Sequence, residues 1–239
     1  MSSPHKQWTV LPHGPLEEID DGILTVTGEI GMPLGKLERR MTVVRLNGRR
    51  LVIYSAIALD PAGMARLESF GQPAFLIVPS DLHRLDARIY KDRYPAMKVV
   101  APEGARTKVE EVVPVDTVNP DFADATVRFV TVPGVAGHEA ALVVHRAGGT
   151  TLVLNDLVGN IHNASGPGGL ILKAAGFAGD QPQIPRVVNL KIIEDKLPLR
   201  RQLEAWADIA TLTRIIVSHG DPIVSQPQET LRRLAQSLD

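Results

Sequence analysis

The chain has 239 residues, 44% hydrophobic and 22% charged, a balance typical of soluble globular proteins that excludes intrinsic disorder and collagen-like repeats. Lys plus Arg (26) nearly cancels Asp plus Glu (27), so no global positive field draws in nucleic acid, and with no cysteine there is no disulfide framework, thiolate ligand or cysteine nucleophile. Apolar runs such as Phe75–Val78 and Ile215–Val217 fall far short of the ~20 residues of a spanning helix, and no apolar stretch of a signal peptide follows Lys6, so a cytoplasmic protein with no membrane partner is expected.

Taken in order, the period of the apolar residues switches repeatedly between strand-like and helix-like. Residues 1–15 read as an N-terminal segment, and Gly22–Thr27 alternates as a half-buried strand does. Thr42–Leu46 and Arg50–Tyr54 read as a hairpin, with Asn47-Gly48 supplying the positive φ angles of a type I′ turn. Pro61–Phe70 suits a short helix with Asp60 as N-cap and Pro61 at the first helical position. Ala74–Val78 is continuously apolar, as for a strand buried on both faces, and Leu82–Tyr94 reads as a helix stopped by Pro95. Short strands follow at Lys98–Val100, Val112–Val115, Thr126–Val132, Ala141–Val144 and Thr150–Leu154, the last two joined at Gly148-Gly149. Asn160–Gly169 is rich in Gly, Asn and Pro and reads as a loop, with a short helix at Leu170–Ala175 and irregular chain to Pro185. Leu199–Ala210 is an amphipathic helix, Arg214–Val217 a strand and Gln228–Leu238 a closing helix. With no repeat and no linker, the expectation is one α/β domain over residues 1–239.

Four apolar strands end directly before a residue able to bind a metal. Phe75–Ser80 runs into Asp81, His83 and Asp86; Val127–Pro133 into Gly137-His138-Glu139; Leu152–Asn155 into Asp156; and Ile215–Ser218 into His219-Gly220-Asp221. Loops at one edge of a sheet are where several strands aim side chains into one crevice. Any transition metal must be held by His, Asp or Glu. No Gly-x-Ser-x-Gly elbow occurs, and Gly166-Pro167-Gly168-Gly169 lacks the Lys-Ser/Thr end of a phosphate-binding loop.

In this order of motifs the chain resembles the metallo-β-lactamase-like hydrolases, whose first motif, His-x-His-x-Asp-His, follows a buried strand. A Gly-His turn, an Asp after a hairpin strand and a last His beyond a late strand complete that pattern. Asp81-Leu82-His83-Arg84-Leu85-Asp86, Gly137-His138, Asn155-Asp156 and Ser218-His219 stand at those places, and the resemblance spans about residues 22 to 225. It implies a four-layer αββα sandwich with one or two divalent ions, zinc first and manganese or iron next. Carried over, one ion would take Asp81, His83, His138 and Asp156. The other would keep Asp86, His219 and a bridging Asp156, because Leu85 stands where the family has its Asp. Asp156 and Asp86 are the catalytic candidates, Asp86 as a general base where it is not a ligand. Residues 160–185 would then form a loop-rich flap over the site.

Each of these residues also has a structural reading. Asp81 would cap a helix, and Asp86 would pair with Arg84, Arg88 or Lys91. Glu139 and Asp221 read as residues that orient a histidine, and His145 as solvated, while His162 lies in the loop after Asp156. Tyr90, Tyr94 and Phe177 suit either core packing or the wall of a substrate pocket, whereas Leu203, Trp206 and Ile209 read as core. The functional expectation is a metal-dependent hydrolase of a small molecule (ester, thioester, lactone or phosphodiester), with a homodimer as the base-rate assembly. The alternative is a degenerate, non-catalytic binding or scaffold protein on the same fold, for which Leu85 and the missing motif histidines speak.

Overall fold

Strands buried on both faces need apolar side chains in both directions, and this chain supplies them in a computed structural model describing residues 3–32, 35–162 and 166–238. Strands β1 (Glu17–Asp20), β2 (Ile23–Met32), β3 (Gly35–Arg45), β4 (Arg50–Tyr54), β5 (Gln72–Ile77) and β6 (Lys98–Val100) form one sheet in sequence order. It is antiparallel as far as β4 and parallel from β4 to β6. A second sheet has the order β11-β9-β8-β7, from β7 (Val127–Thr131), β8 (Ala140–Arg146), β9 (Gly149–Val153) and β11 (Leu212–Ile216). A separate parallel ladder, β10 (Gly159–Asn160) with β12 (His219–Gly220), packs against β3 of the first sheet.

Along β4 the side chains alternate between two cores. Leu51 and Ile53 pack with Met64, Leu67 and Phe70 of α1 (Pro61–Phe70) and with Ile89 and Tyr90 of α2 (Ala87–Arg93), whereas Val52 and Tyr54 face the second sheet. There they meet Leu142, Val144, Val153 and Ile216. The far side of the second sheet, through Val143, Leu152 and Ile215, buries Leu199, Leu203 and Trp206 of α6 (Lys196–Ala207) and Leu231 and Leu234 of α7 (Pro227–Gln236). The layers are therefore helix, sheet, sheet, helix: the αββα sandwich. Three further helices, Arg106–Glu110, Gly166–Ala175 and Arg186–Lys191, complete the described structure as α3, α4 and α5.

Local chemistry sets the ends of α1, where Asp60 accepts from the Gly63 amide at 2.7 Å and Pro61 opens the helix, as the sequence predicts. Elsewhere tertiary contacts override local signals. The β3–β4 connection has its positive φ angles at Gly48 (70°) and Arg49 (59°), one residue later than a type I′ turn on Asn47-Gly48, because the Asn47 amide is drawn to Asp124 Oδ2 at 2.7 Å. The helix expected over 82–94 starts only at Ala87, since the preceding turns bond outward: the Leu85 carbonyl takes the His5 amide at 2.8 Å. Val112–Val115 buries Val113 and Val115 but is not a strand; Pro114 has no N–H to give a ladder. The helix expected at Leu170 begins at Gly166. No helix among the described residues is long and apolar enough to cross a membrane.

Leu67→Ala, at a position 0% exposed under α1, is expected to cost about 2–5 kcal/mol in urea unfolding. Leu170→Ala, at 70% exposure, should change stability by no more than about 0.5 kcal/mol. Equal effects would contradict the layering.

Candidate metal centre

Three strands of the sandwich, β5, β9 and β11, end at one edge, and each is extended by a short polar segment. Beyond β5 come Val78-Pro79-Ser80 and then His83; beyond β9, Leu154-Asn155-Asp156; beyond β11, Val217-Ser218-His219. Ligand atoms of His83, Asp156 and His219 lie within 4.8 Å of one another. His83 Nε2 is 3.0 Å and His219 Nε2 is 2.9 Å from the same oxygen, Asp156 Oδ1. The two imidazole centroids are 5.4 Å apart.

The outer nitrogens are held as well. His219 Nδ1 is 2.6 Å from the main-chain carbonyl of Glu38 on β3. A carbonyl only accepts, so Nδ1 carries the hydrogen. Nε2 is then either protonated against Asp156 or presents its lone pair to a cation. His83 Nδ1 is 2.8 Å from Ser55 Oγ, just past β4, where Ser55 takes a left-handed φ of 57° that costs a non-glycine residue roughly 1–2 kcal/mol. Arg40, buried on β3, donates to the Gly220 carbonyl at 2.9 Å and so braces the His219 turn. Phe177 stands edge-on to His219, with centroids 5.4 Å apart.

Asp156 is only 3% exposed, and its Oδ2 has no hydrogen-bond partner among the described residues. Burial would raise its pKa, but the two histidines outweigh that and hold the carboxyl well below the usual range. Burial would lower that of His219, yet the Asp156 carboxylate raises it above the ordinary imidazole value. Glu139 goes the other way. Burial, then the neighbouring Asp156 charge, push its carboxyl far up.

The remaining expected ligands lie outside this cluster. Asp81 is half-buried two residues before His83, with no helix there for it to cap. His138 is half-buried in the β7–β8 connection, its amide bonded to the Val135 carbonyl. Asp86 is buried, and its carboxylate binds Arg39 Nη2 and His5 Nδ1, each at 2.7 Å, instead of Arg84, Arg88 or Lys91. Arg39 shares a strand face with Met41 and Val43, which pack under α1 and α2, so Asp86 is across the first sheet from the cluster. Glu139 bonds Asn155 and not a histidine, and Asp221 pairs with Asn160 through its backbone. His145 is exposed beside Thr150, and so is His162. Tyr90 is core, Tyr94 bonds Glu68, and Phe177 alone of the three aromatics touches the site. Sequence reasoning missed Ser55 and Glu38. The position of Ser55 directly after the apolar run of β4 is the one local hint of its role, whereas Glu38 acts through a carbonyl that every residue has.

No protein-family profile and no curated relative matches the sequence. Among solved structures, the metallo-β-lactamase FIM-1 from Pseudomonas aeruginosa in its mono-zinc form aligns with a TM-score of 0.65 at 13% identity, over 95% of this chain and 96% of that one. A metallo-β-lactamase from Erythrobacter litoralis aligns with a TM-score of 0.64 at 13% identity (93% and 96%), and one from Hirschia baltica with 0.62 at 11% (93% and 98%). The chain has the metallo-β-lactamase fold.

In chelator, the raised His219 pKa adds stability that is complete below about pH 6.5 and is lost as pH rises through the folded-state value. The lowered Asp156 pKa adds stability that is present above about pH 3.9 and lost on acidification. Glu139 acts in the same sense as His219, from about pH 4.3 upward. The melting temperature of the metal-free protein should therefore fall between pH 6 and 9, and more steeply than that of His219→Gln. Parallel curves in scanning calorimetry would refute the ion pair.

Proposed function

We propose that this chain, a metallo-β-lactamase fold, is a metal-dependent hydrolase of a small molecule that works with one divalent ion on His83, Asp156 and His219. The observation that carries the reading is the unpartnered, buried Asp156 Oδ2 beside two imidazole Nε2 atoms that already converge on Oδ1. An ionised oxygen without a donor is costly inside a protein, and a cation would satisfy it. Two histidines and one carboxylate are a donor set of catalytic zinc, leaving a position open for water or substrate. With Asp81 and Asp86 outside the cluster the set is less carboxylate-rich than the sequence suggested, which moves it away from manganese, while two histidines and one carboxylate serve zinc and iron(II) alike.

A divalent ion there supplies Lewis acidity to a carbonyl or phosphoryl oxygen and makes water a nucleophile near neutral pH. The protein's own groups do the rest. The Glu38 carbonyl keeps His219 in the tautomer that offers Nε2, and Ser55 orients His83. Asp156 would hold the ion through its carboxylate and would be the acceptor for a proton of the attacking water. Phe177 covers one side of His219 and restricts solvent there. Glu139 is buried and bonded to Asn155, which sets it behind the ligands and not at the base position. The net charge of −1 suits a small substrate (an ester, thioester, lactone or phosphodiester) better than a nucleic acid.

A second reading has its own observation. Leu85 and the Arg39-bound Asp86 occupy the places of two ligands of a second ion, which fits a degenerate binding or scaffold protein. Elemental analysis of protein purified without a polyhistidine tag separates the two. After loading with Zn2+, about one equivalent is expected, with none retained by His219→Ala or Asp156→Asn. Hydrolysis of nitrophenyl esters, thioesters or phosphodiesters should fall by ~100-fold or more in those variants. No uptake of Zn2+, Mn2+ or Fe2+ would leave the scaffold reading standing; two equivalents would overturn the single-ion assignment.

A further inference from the structure

Asn155 is a buried polar side chain that the hydrolase reading does not use, and its three bonds run to the other strand ends of the site. Its Nδ2 donates to Ser80 Oγ at 3.1 Å and to Glu139 Oε1 at 3.2 Å, while its Oδ1 accepts from Ser218 Oγ at 2.9 Å. All four residues are at most 2% exposed. Each stands beside a ligand-type residue: Ser80 three positions before His83, Glu139 directly after His138, Asn155 directly before Asp156 and Ser218 directly before His219. Ser80 also takes the Leu82 amide on its Oγ at 3.3 Å and the His83 amide on its carbonyl at 3.4 Å, so the tie continues into the His83 turn.

Ser80 extends the first sheet, whereas Glu139, Asn155 and Ser218 belong to the ends of the second. Between the sheets the core is apolar and non-directional. At this edge the bonds from Tyr54 Oη to the Ala140 carbonyl (2.7 Å) and from the Ala140 amide to the Pro79 carbonyl (3.0 Å) tie the first sheet to β8 but not to the segments that carry Asp156 and His219. A planar amide with two donors on one side and an acceptor on the other fixes direction as well as distance, and in a dry site such bonds are strong and costly to break. A serine, a carboxylate or an apolar residue cannot make the same three bonds.

We propose that Asn155 is the positioning residue of the centre, a hub whose carboxamide locks the strand ends so that His83, Asp156 and His219 converge before any ion arrives. The inference rests on the metal-binding reading above and adds which residue sets its geometry. The test is zinc affinity, measured by competition with a chromophoric chelator, alongside urea unfolding in chelator. Asn155→Leu is expected to bind zinc about 10–100-fold more weakly than the unaltered protein, and Ser218→Ala to lose affinity in the same direction by less. Leu67→Ala, which loosens the helix-facing core far from the site, is the control: destabilised, but binding zinc as the unaltered protein does. If Asn155→Leu does not fold, Ser218→Ala decides. Unchanged affinity in the Asn155 or Ser218 variant overturns the hub, and so does an equal loss in Leu67→Ala. An unaltered protein that takes up no zinc overturns the metal reading itself and the hub with it.

Discussion

A carboxylate that is both buried and ionised needs strong polar partners beside it, and at Asp156 the Nε2 atoms of His83 and His219 converge on one oxygen. Much else at this edge of the sandwich serves that arrangement. The strand ends bring the three side chains together from positions 73 and 63 residues apart along the chain. The Glu38 carbonyl and Ser55 then turn the imidazoles so that their inner nitrogens meet one oxygen. The same arrangement makes the site suitable for a cation, because the two imidazoles that partner the carboxylate are metal ligands in their neutral form.

The sandwich is suited to holding such a centre. Three apolar cores, one between the sheets and one under each helical layer, surround the strands on every face, so the segments just past their ends emerge from rigid scaffolding. Arg40 braces the last turn against the first sheet, and the close approach of Gly220 to Asn160, where any Cβ would lie 2.0 Å from a carbonyl oxygen, packs it on β10. The N-terminal segment contributes on the opposite face. His5 and Arg39 enclose Asp86, while Trp8 donates to the Leu59 carbonyl and packs on Tyr90. A second buried carboxylate is thereby paired with a guanidinium and hydrogen-bonded to an imidazole instead of being offered to a ligand.

Where sequence and structure part, the reason is mostly a partner far along the chain. Asp86 reads as a ligand or a helix-face ion pair because its near neighbours are Arg84, Arg88 and Lys91. Its actual partners are 47 and 81 residues away and become visible only when β3 and the N-terminal segment lie against the same turn. Asp81 and Asp86 fall in a segment of helical composition whose backbone is instead bonded to Ser80 and His5, which breaks the helix and turns the two carboxylates apart. Asn155 and Ser218 stand in plain view before Asp156 and His219, yet a polar residue at a strand end has no signature of its role until its bonding partners are known.

The sequence by itself determined the α/β class, through the switching period of its apolar residues, and the start of α1, through Asp60 and Pro61, while the four-layer sandwich was implied only by the family resemblance. It also determined that residues able to bind a metal follow the strands, because burial periodicity and capping are local properties that a run of residues carries with it. Only the tertiary structure decided which of those residues meet. Convergence of His83, Asp156 and His219, the diversion of Asp86 to Arg39 and the hub at Asn155 all depend on how the two sheets are placed, a distance and an angle between segments that no local pattern encodes.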